Sequence, residues 1–375
     1  MTFKVARSRR AREDDLRARN FKRILLIKLS AVGDVIHTLP VLAKLRARFP
    51  SARIDWLITP ACADLVHWHP AVSNILHYPR REFGRSWAGS FKMAKVLRQV
   101  RRNNYDLVVD VHGQFRTAVF VWASGAPVRI GFARTREGAR LSYTHHIPVP
   151  SMDFHAADRN LWLSNLLGFN RDRPDFTIHF PPQAKAEAAA VLLRSGFAER
   201  PFAILFPGTQ WETKHWSTQG FVDVCRHLAA RGLGILLAGA GRDRPRNAAV
   251  AAAFPAAIDI CDKTALAVTG AIMRRAAICI TNDSGPMHMA VSLGLPLVSA
   301  FGPTSPVRTG PYGRPGAVVR VGVPCSPCYI RTLRRCPYGH CCMTQLTSAM
   351  MIERVEKVLA ESGLSEVADS AGSSS

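Results

Sequence analysis

The chain has 375 residues, and its 47% hydrophobic and 21% charged content is typical of a globular protein with two sizeable cores. A formal net charge of +23, from 50 Lys and Arg against 27 Asp and Glu, favours anionic partners: nucleic acid, an acidic membrane face or phosphorylated substrates. No apolar stretch approaches the roughly 20 residues that span a bilayer, and no apolar signal core precedes Phe21. These features exclude a membrane-spanning or secreted protein and predict a cytoplasmic one.

The first half of the chain predicts an α/β domain over residues 21–175, preceded by a flexible basic arm over residues 1–20. Three apolar runs predict strands, over residues 24–29, 54–58 and 107–111. The stretch from Val35 to Phe49 predicts a helix, in which Pro40 indicates a kink or a restart.

A second α/β domain is predicted over residues 184–347, after a proline-rich linker from Arg171 to Gln183. Four further runs predict strands, over residues 202–206, 235–237, 277–281 and 297–301. Helices are predicted from a Ser217 cap to Arg231, over residues 264–275 and, at the end of the chain, over residues 348–361, before a disordered tail over residues 362–375. Strands that alternate with helices predict parallel sheets with right-handed crossovers.

Asp34 stands at the turn between the first strand and its helix, in the sequence SAVGD at residues 30–34. A carboxylate there lies at the carboxyl edge of a parallel sheet, where α/β proteins hold ligands. If it is partly desolvated, it can act as a general base toward a hydroxyl nucleophile. The alternative is that Asp34 caps the helix.

A second strand-to-helix turn, TNDSGP at residues 281–286, suits a diphosphate because a helix start offers free N–H groups and a positive dipole end. Ser284 or Gly285 is predicted as the N-cap and Pro286 as the first helical residue. The sequence GPT at residues 302–304 ends the next strand and can line the same pocket. Simple helix capping is the alternative for such turns.

Lys214 lies between Trp211 and Trp216 in the loop after strand 202–206, where its ammonium group can reach an anionic leaving group. The alternative is a solvated lysine with Trp216 in the core. No Asp-x-Asp sequence occurs, so a divalent cation held by carboxylates is not predicted. Asp34 and these anion-binding groups together favour displacement at a sugar carbon that carries a nucleoside diphosphate.

Five of the nine cysteines fall within residues 325–342. In a cytosolic chain this density indicates a metal or redox site before a disulfide framework. Four thiolates can hold zinc tetrahedrally, and the candidate ligands for a structural zinc or iron ion are Cys325, Cys328, Cys336 and Cys342. Reduced, packed or redox-labile thiols are the alternative, because the spacing is not that of a standard finger.

Four segments resemble the lipopolysaccharide heptosyltransferases of glycosyltransferase family 9. They are RILLIKLSAVGDVIHTLP at residues 23–40, KHW at 214–216, NDSGPMH at 282–288 and FGPT at 301–304. The resemblance implies a GT-B architecture, in which two Rossmann-like domains with parallel sheets face an interdomain cleft. It also implies an inverting, metal-independent transfer of heptose from ADP-heptose to a lipopolysaccharide inner-core or related surface-glycan acceptor, with no cofactor required for catalysis.

The resemblance further implies residue roles, with Asp34 as the general base and Lys214 as the lysine that contacts the donor phosphates. The donor-binding candidates are Thr209, Lys214, Asp243, Asp283, Ser284, Gly285, Met287, His288, Gly302 and Thr304. The acceptor-binding candidates are Gly33, His37, Arg80, Arg81, Gln114 and Arg116.

The acceptor that the resemblance implies is a phosphorylated, lipid-linked glycan, so we expect a cytoplasmic protein that is peripheral on the inner-membrane face. Basic residues can contact this acceptor or the anionic bilayer, and each contact contributes about 1 kcal/mol near the surface. Solvated surface charge is the alternative for each of them. The candidates are Arg7, Arg9, Arg10, Arg12, Arg80, Arg81 and Arg85. Two other functions stay open, a nucleotide-sugar epimerase on the same fold and a basic nucleic-acid-binding module. Nucleic acid is not the expected partner, because the basic residues lack interleaved aromatic residues.

Overall fold

A computed structural model of the chain describes residues 16–79, 87–135 and 137–363. Most of the predicted basic arm, with Arg7, Arg9, Arg10 and Arg12, lies outside the described residues, as do Arg80, Arg81, Arg85 and residues 364–375 of the predicted tail. The chain divides into two compact units between His179 and Phe180.

The first unit contains a six-stranded parallel sheet. Its strands are β1 (Arg23–Ile27), β2 (Arg53–Ile58), β3 (Asn74–His77), β4 (Leu107–Asp110), β5 (Val128–Phe132) and β6 (His145–Ile147). They lie in the order β3-β2-β1-β4-β5-β6, so the winding of the chain reverses between β1 and β4. In such a sheet, ligands bind at this switch point, outside the carboxyl ends of the strands.

The helices of the first unit are α1 (Val32–Ile36), α2 (Leu39–Arg48), α3 (Pro60–Ala63), α4 (Trp87–Arg102), α5 (Phe115–Ala123), α6 (Ala156–Leu161) and α7 (Ser164–Leu167). The helical stretch predicted from Val35 to Phe49 is divided in two, because the chain leaves the helix after Ile36 and restarts at Leu39. Pro40 stands in the first turn of α2, where its missing N–H costs no hydrogen bond, and the predicted restart is confirmed.

The second unit repeats the same winding in a second six-stranded parallel sheet. Its strands are β7 (Phe202–Phe206), β8 (Gly234–Leu237), β9 (Ile258–Asp259), β10 (Ile278–Asn282), β11 (Leu297–Phe301) and β12 (Val318–Arg320). The order is β12-β11-β10-β7-β8-β9, which puts the switch point between β7 and β10. Every residue of β7, β10 and β11 is buried, as expected for central strands covered on both faces.

The helices of the second unit are α8 (Pro182–Arg194), α9 (Thr218–Ala230), α10 (Arg244–Ala253), α11 (Leu266–Met273), α12 (Gly285–Ser292), α13 (Pro306–Thr309), α14 (Cys341–Thr344) and α15 (Ser348–Glu361). The predicted linker is too long, because Pro182 already begins α8, where a proline is tolerated. Ser217 caps α9 as predicted, since its side chain accepts a hydrogen bond from the N–H of Gly220.

Two parallel sheets flanked by helices confirm the α/β prediction. Each unit has the strand order of a Rossmann-like domain. The interdomain cleft stays a prediction.

Candidate active site

Asp34 is the third residue of α1 and follows β1 at the first switch point. Its Oδ2 atom accepts a hydrogen bond from the N–H of Ala31 at 3.3 Å, and its side chain is 52% exposed. Asp34 is not the N-cap, since Ala31 occupies that position, but its carboxylate does cap the helix start from the third helical position by accepting the N–H of Ala31. A half-exposed carboxylate held in this way can accept a proton from a ligand.

Lys28 joins the ends of the two central strands of this sheet. Its Nζ atom donates to the carbonyl oxygen of Val111 at 3.0 Å and lies 3.7 Å from Oδ1 of Asp34. The side chain of Lys28 is largely buried, whereas that of Asp34 is half-exposed. Lys28 lies in the segment over residues 23–40 that resembles the family, but it was not among the predicted site residues.

Asp110 organises the loop that follows β4. It is fully buried, and its Oδ1 atom accepts hydrogen bonds from the N–H groups of His112 (2.8 Å) and Gly113 (3.1 Å). Its Oδ2 atom accepts one from the hydroxyl of Tyr143 at 2.8 Å. Burial raises the pKa of Asp110, although these hydrogen bonds oppose the shift. Asp110 was not among the predicted site residues, although an aspartate at a strand end two residues before a His-Gly pair is a signal for such a turn.

His112 lies within electrostatic range of Lys28, Asp34 and Arg116. Burial, followed by the charge of Lys28, lowers its pKa to about 4, so the ring is neutral near pH 7. Its Nε2 atom is buried and has no hydrogen-bond partner within the part of the chain that the structure describes. His112 is therefore a neutral polar group at the switch point, and it was not among the predicted site residues.

Four of the six predicted acceptor residues lie within the described ranges. Gln114 is the N-cap of α5, and its Oε1 atom accepts hydrogen bonds from the Nε and Nη2 atoms of Arg116, which places both near the loop after β4. Gly33 shares α1 with Asp34, whereas His37 is buried and packs edge-on against the ring of His155. Arg80 and Arg81 lie outside the described ranges.

Lys214 and Asp283 meet at the second switch point, after β7 and β10 respectively. The Nζ atom of Lys214 lies 2.6 Å from Oδ2 of Asp283, and both side chains are mostly buried. The hydroxyl of Thr304, after β11, donates to the same carboxylate oxygen, and Nζ lies 4.5 Å from the ring centre of Trp211. The structure thus brings together three predicted donor residues from three adjacent strand ends.

Asn282 ties both ends of the loop over residues 207–216. Its side-chain amide donates to the carbonyl oxygen of Pro207 at 2.8 Å and accepts from the N–H of Trp216 at 3.0 Å. The indole of Trp216 is buried and donates to the carbonyl oxygen of Leu346, so Trp216 is a core residue. The position of Lys214 therefore depends on a fully buried amide that was not among the predicted site residues.

His215 closes the same loop internally. Its Nε2 atom accepts a hydrogen bond from the N–H of Thr209 (3.2 Å), so its Nδ1 atom carries the proton toward the carbonyl oxygen of Glu212 (3.2 Å). Burial, with the charge of Arg246, lowers the pKa of His215 to about 4, in accord with this neutral tautomer. Thr209 also donates its hydroxyl proton to the backbone oxygen of Asp283.

Ser284 is the N-cap of α12, which makes Gly285 the first helical residue and Pro286 the second, so the predicted first position of Pro286 is wrong. The Ser284 hydroxyl bonds to that of Thr281 instead of to the helix start. Met287 is fully buried and His288 largely so, which shields both predicted donor residues from solvent.

Asp243 follows β8, and its carboxylate accepts a hydrogen bond from the N–H of Ala240 at 2.9 Å. It packs against Gly208, where an added Cβ atom would lie 2.2 Å from the carboxyl group. Burial raises the pKa of Asp243. Asp243 therefore lies beside the loop after β7, which also carries the predicted donor residues Thr209 and Lys214.

The cysteine-rich segment, residues 325–342, packs against this site. His340 contacts the carbonyl oxygen of Thr213 through Nε2 at 2.6 Å, and the N–H of Tyr329 donates to the carbonyl oxygen of Pro303 at 2.8 Å. The guanidinium of Arg331 lies 4.7 Å from the ring centre of Trp211. The segment thus contacts both the loop that carries Lys214 and the turn at residues 302–304.

The predicted metal ligands Cys325, Cys328, Cys336 and Cys342 are not assembled as a site. The Sγ atom of Cys325 lies 4.0 Å from that of Cys341, which was not in the predicted set. Across residues 16–79, 87–135 and 137–363, no group of three or more His, Cys, Asp or Glu side chains could hold a metal ion. A tetrahedral thiolate site needs four ligands, so the side chains as placed do not fit a zinc or iron ion.

The chain is similar in sequence to known proteins over most of its length. The lipopolysaccharide heptosyltransferase 1 of Pseudomonas aeruginosa is 29% identical over 323 residues, covering 83% of this chain and 87% of the relative. The enzyme of the same name from Escherichia coli K12 is 28% identical over 312 residues, covering 80% of this chain and 93% of the relative.

Solved structures share the fold. A family 9 glycosyltransferase from Veillonella parvula has a TM-score of 0.79 at 24% identity, covering 92% of this chain and 98% of its own. The E. coli heptosyltransferase WaaC with ADP-2-deoxy-2-fluoro heptose has a TM-score of 0.69 at 24% identity, covering 89% of this chain and 99% of its own. The iron-containing dodecameric glycosyltransferase TibC of E. coli has a TM-score of 0.58 at 14% identity, covering 92% of this chain and 77% of its own. These likenesses confirm the predicted GT-B class of fold.

The sequence model of glycosyltransferase family 9 (heptosyltransferase) matches residues 93–338, which is more than half of the chain. This chain therefore belongs to glycosyltransferase family 9, the heptosyltransferase family.

Proposed function

We propose that this glycosyltransferase transfers heptose from ADP-heptose to a hydroxyl group of a lipopolysaccharide inner-core acceptor. The family and the names of the relatives support heptose transfer, and they do not favour an epimerase or a nucleic-acid-binding module. The observation that carries the proposal is the convergence of Lys214, Asp283 and Thr304 beside the N-terminus of α12.

The second unit is the proposed donor-binding domain. A diphosphate at the start of α12 can accept hydrogen bonds from backbone N–H groups there and interact with Nζ of Lys214. These groups neutralise the charge that develops on ADP as it leaves. The ion pair with Asp283 keeps Lys214 aimed at this position. The reaction that we propose uses the protein's own donors and requires no divalent cation.

Asp34 is the proposed general base. It takes the proton of the acceptor hydroxyl while that oxygen forms a bond to the anomeric carbon of heptose. The bond from that carbon to the diphosphate oxygen breaks, and ADP leaves with the electron pair. A single displacement inverts the anomeric configuration. Lys28 orients the carboxylate from its buried side, and the exposed half of the side chain can receive the hydroxyl.

The first unit is the proposed acceptor-binding domain, and its acceptor is a phosphorylated, lipid-linked glycan. Arg116 and Gln114 lie beside the loop after β4, where a cationic group suits an anionic acceptor. Over the described ranges, no helix is both long enough and apolar enough to span a bilayer. We place the protein at the cytoplasmic face of the inner membrane as a peripheral protein, because a lipid-linked acceptor is reached there.

Donor and acceptor selection test the proposal. The purified chain is incubated with ADP-heptose or with UDP-linked sugars, with and without deeply truncated lipopolysaccharide, and nucleotide release is followed. Release is expected from ADP-heptose only when acceptor is present. Conversion of a donor that needs no acceptor would instead support an epimerase and contradict the proposal.

A further inference from the structure

Helix α5 exposes an apolar stripe to solvent. Phe115, Val119 and Trp122 are spaced four and three residues apart, so they share one face of the helix, and they are 61%, 38% and 76% exposed. Leu141, 93% exposed, lies in the short 3-10 helix Ala139–Ser142, which packs beside α5. Large apolar side chains clustered at a protein surface mark an interaction site more often than single ones do.

Helix α4 packs against α5 and adds positive charge to the same region. Phe91, which is 70% exposed, is followed on one helical face by the exposed side chains of Lys95, Arg98 and Arg102. Helix α4 carries five Lys or Arg residues, α5 and the 3-10 helix carry one each, and none of the three contains Asp or Glu. Glu137 is a nearby carboxylate, and it accepts a hydrogen bond from the N–H of Phe115.

The location of α5 connects this region to the candidate active site. The helix begins at Phe115, directly after Gln114 and the loop that carries His112. That loop lies at the carboxyl edge of the first sheet, where Asp34 also lies. The first turn of α5 therefore lies beside the proposed acceptor site, and a partner bound along the helix would extend away from that site.

We propose that an aromatic–basic surface, formed by Phe91, Val119, Trp122, Leu141, Lys95, Arg98 and Arg102, binds the anionic phospholipid face of a membrane. Aromatic rings insert favourably at the headgroup level, and Lys and Arg side chains near an anionic leaflet strengthen the attachment. The choice of a bilayer rests on the proposed function, because a lipid-linked acceptor must be reached at the membrane.

Charge argues against a second copy of this chain as the partner. Two such surfaces in contact would place Lys95, Arg98 and Arg102 near the same cations of the other copy, and like charges repel. An anionic bilayer complements both the rings and the cations.

Sedimentation with vesicles tests the proposal without any substrate. The full chain is mixed with phosphatidylethanolamine–phosphatidylglycerol vesicles or with neutral phosphatidylcholine vesicles. Stronger binding to the anionic vesicles is expected, and it should weaken as salt is raised. Phe91→Ser with Trp122→Ser should reduce this binding about tenfold or more. Leu193→Ser, which removes a 69% exposed leucine from α8, is the matched control and should leave binding unchanged.

The charged residues have a separate test. Lys95→Ser, Arg98→Ser and Arg102→Ser together should weaken binding to anionic vesicles on the order of a hundredfold at low salt. Equal binding by the wild-type chain and these variants, or no binding by the wild-type chain, would overturn the proposal. A dimer in solution that Trp122→Ser dissociates, with no vesicle binding, would identify a second copy as the partner and would also overturn it.

Activity on a water-soluble truncated acceptor separates this inference from the proposed function. The variants should keep wild-type rates with that acceptor and lose rate only with acceptor embedded in vesicles. A wild-type chain that binds vesicles but transfers no heptose would leave the membrane surface supported and contradict the proposed function alone.

Discussion

Asp34 is the residue on which the proposed chemistry depends. Asp34→Asn keeps the size of the side chain and removes its negative charge and its basicity. We expect transfer to slow by about 10² to 10⁴-fold, the usual contribution of a general base, while the donor still binds. Steady-state rates and calorimetric titration with ADP-heptose give the two readouts. Turnover close to that of the wild type would remove Asp34 from the mechanism.

Lys214 has a distinct expected effect, because it acts on the leaving group. Lys214→Gln should lower kcat/KM for ADP-heptose by about 10² to 10³-fold, as the loss of one preorganised electrostatic partner does. Lys185→Gln, at an exposed position of α8, is the control and should leave the rate unchanged. Unchanged kinetics for Lys214→Gln would exclude a role on the donor phosphates.

At this scale, the sequence predicted residues in the turns and loops that follow strand ends. Asp34, Lys214, Asp283 and Thr304 all stand there, and parallel strands bring such positions to one edge. His112 and Asn282 were not predicted as site residues. The environment of His112 depends on the charge of Lys28, which directly follows the neighbouring strand β1. That of Asn282 depends on a hydrogen bond from the N–H of Trp216, at the far end of another loop. No local pattern carries that information.

The loop over residues 207–216 is the element that presents Lys214, and Asn282 holds both of its ends. Asn282→Ala leaves two buried backbone groups without partners, at about 1–3 kcal/mol each. We expect a lower melting temperature and a higher KM for ADP-heptose. Thermal unfolding and donor kinetics measure the two effects. A variant as stable as the wild type, with an unchanged KM, would contradict this role of Asn282.

The turn at residues 302–304 needs glycine because the cysteine-rich segment and the residue that follows it approach closely. A Cβ atom on Gly302 would lie 2.5 Å from Sδ of Met343. Gly302→Ala should therefore destabilise the second unit by about 1–3 kcal/mol, as overpacking does. Gly322→Ala, where an added Cβ atom meets open space, is the matched control. Equal denaturation midpoints for the two variants would contradict the packing described here.

Elements were predictable where the pattern is long and apolar. Strands β7 and β11 have their predicted bounds because five buried residues in a row leave a clear signal. Strand β9 has only two residues, so no periodic pattern of apolar residues could predict it from the sequence. The break between α1 and α2 was predictable as a restart, since Pro40 favours a first turn.

On the scale of the whole molecule, three histidines that are largely withdrawn from solvent make stability depend on pH. Burial lowers the pKa values of His69, His112 and His215 to about 4 from an ordinary 6.5. Between these values the unfolded chain binds more protons than the folded one, so the free energy of unfolding is greatest above pH 6.5 and falls as the pH drops toward 4.

Chemical denaturation between about pH 4.5 and 7 measures this dependence. His69→Gln should reduce the slope of the free energy of unfolding against pH in this range by the equivalent of close to one proton. The ring of His69 packs edge-on against that of His179, with 5.0 Å between the ring centres. A free energy of unfolding that does not change with pH in the wild-type chain would contradict the burial of these rings.

The central claim is that Asp34 acts as the base and Lys214 binds the donor diphosphate when the chain transfers heptose. Mass spectrometry of truncated lipopolysaccharide after incubation with ADP-heptose tests it most directly, with wild-type, Asp34→Asn and Lys214→Gln chains in parallel. The wild-type chain should add one heptose to each acceptor and release one ADP, and both variants should add little. An acceptor of unchanged mass after incubation with the wild-type chain, or equal product from all three chains, would contradict the account.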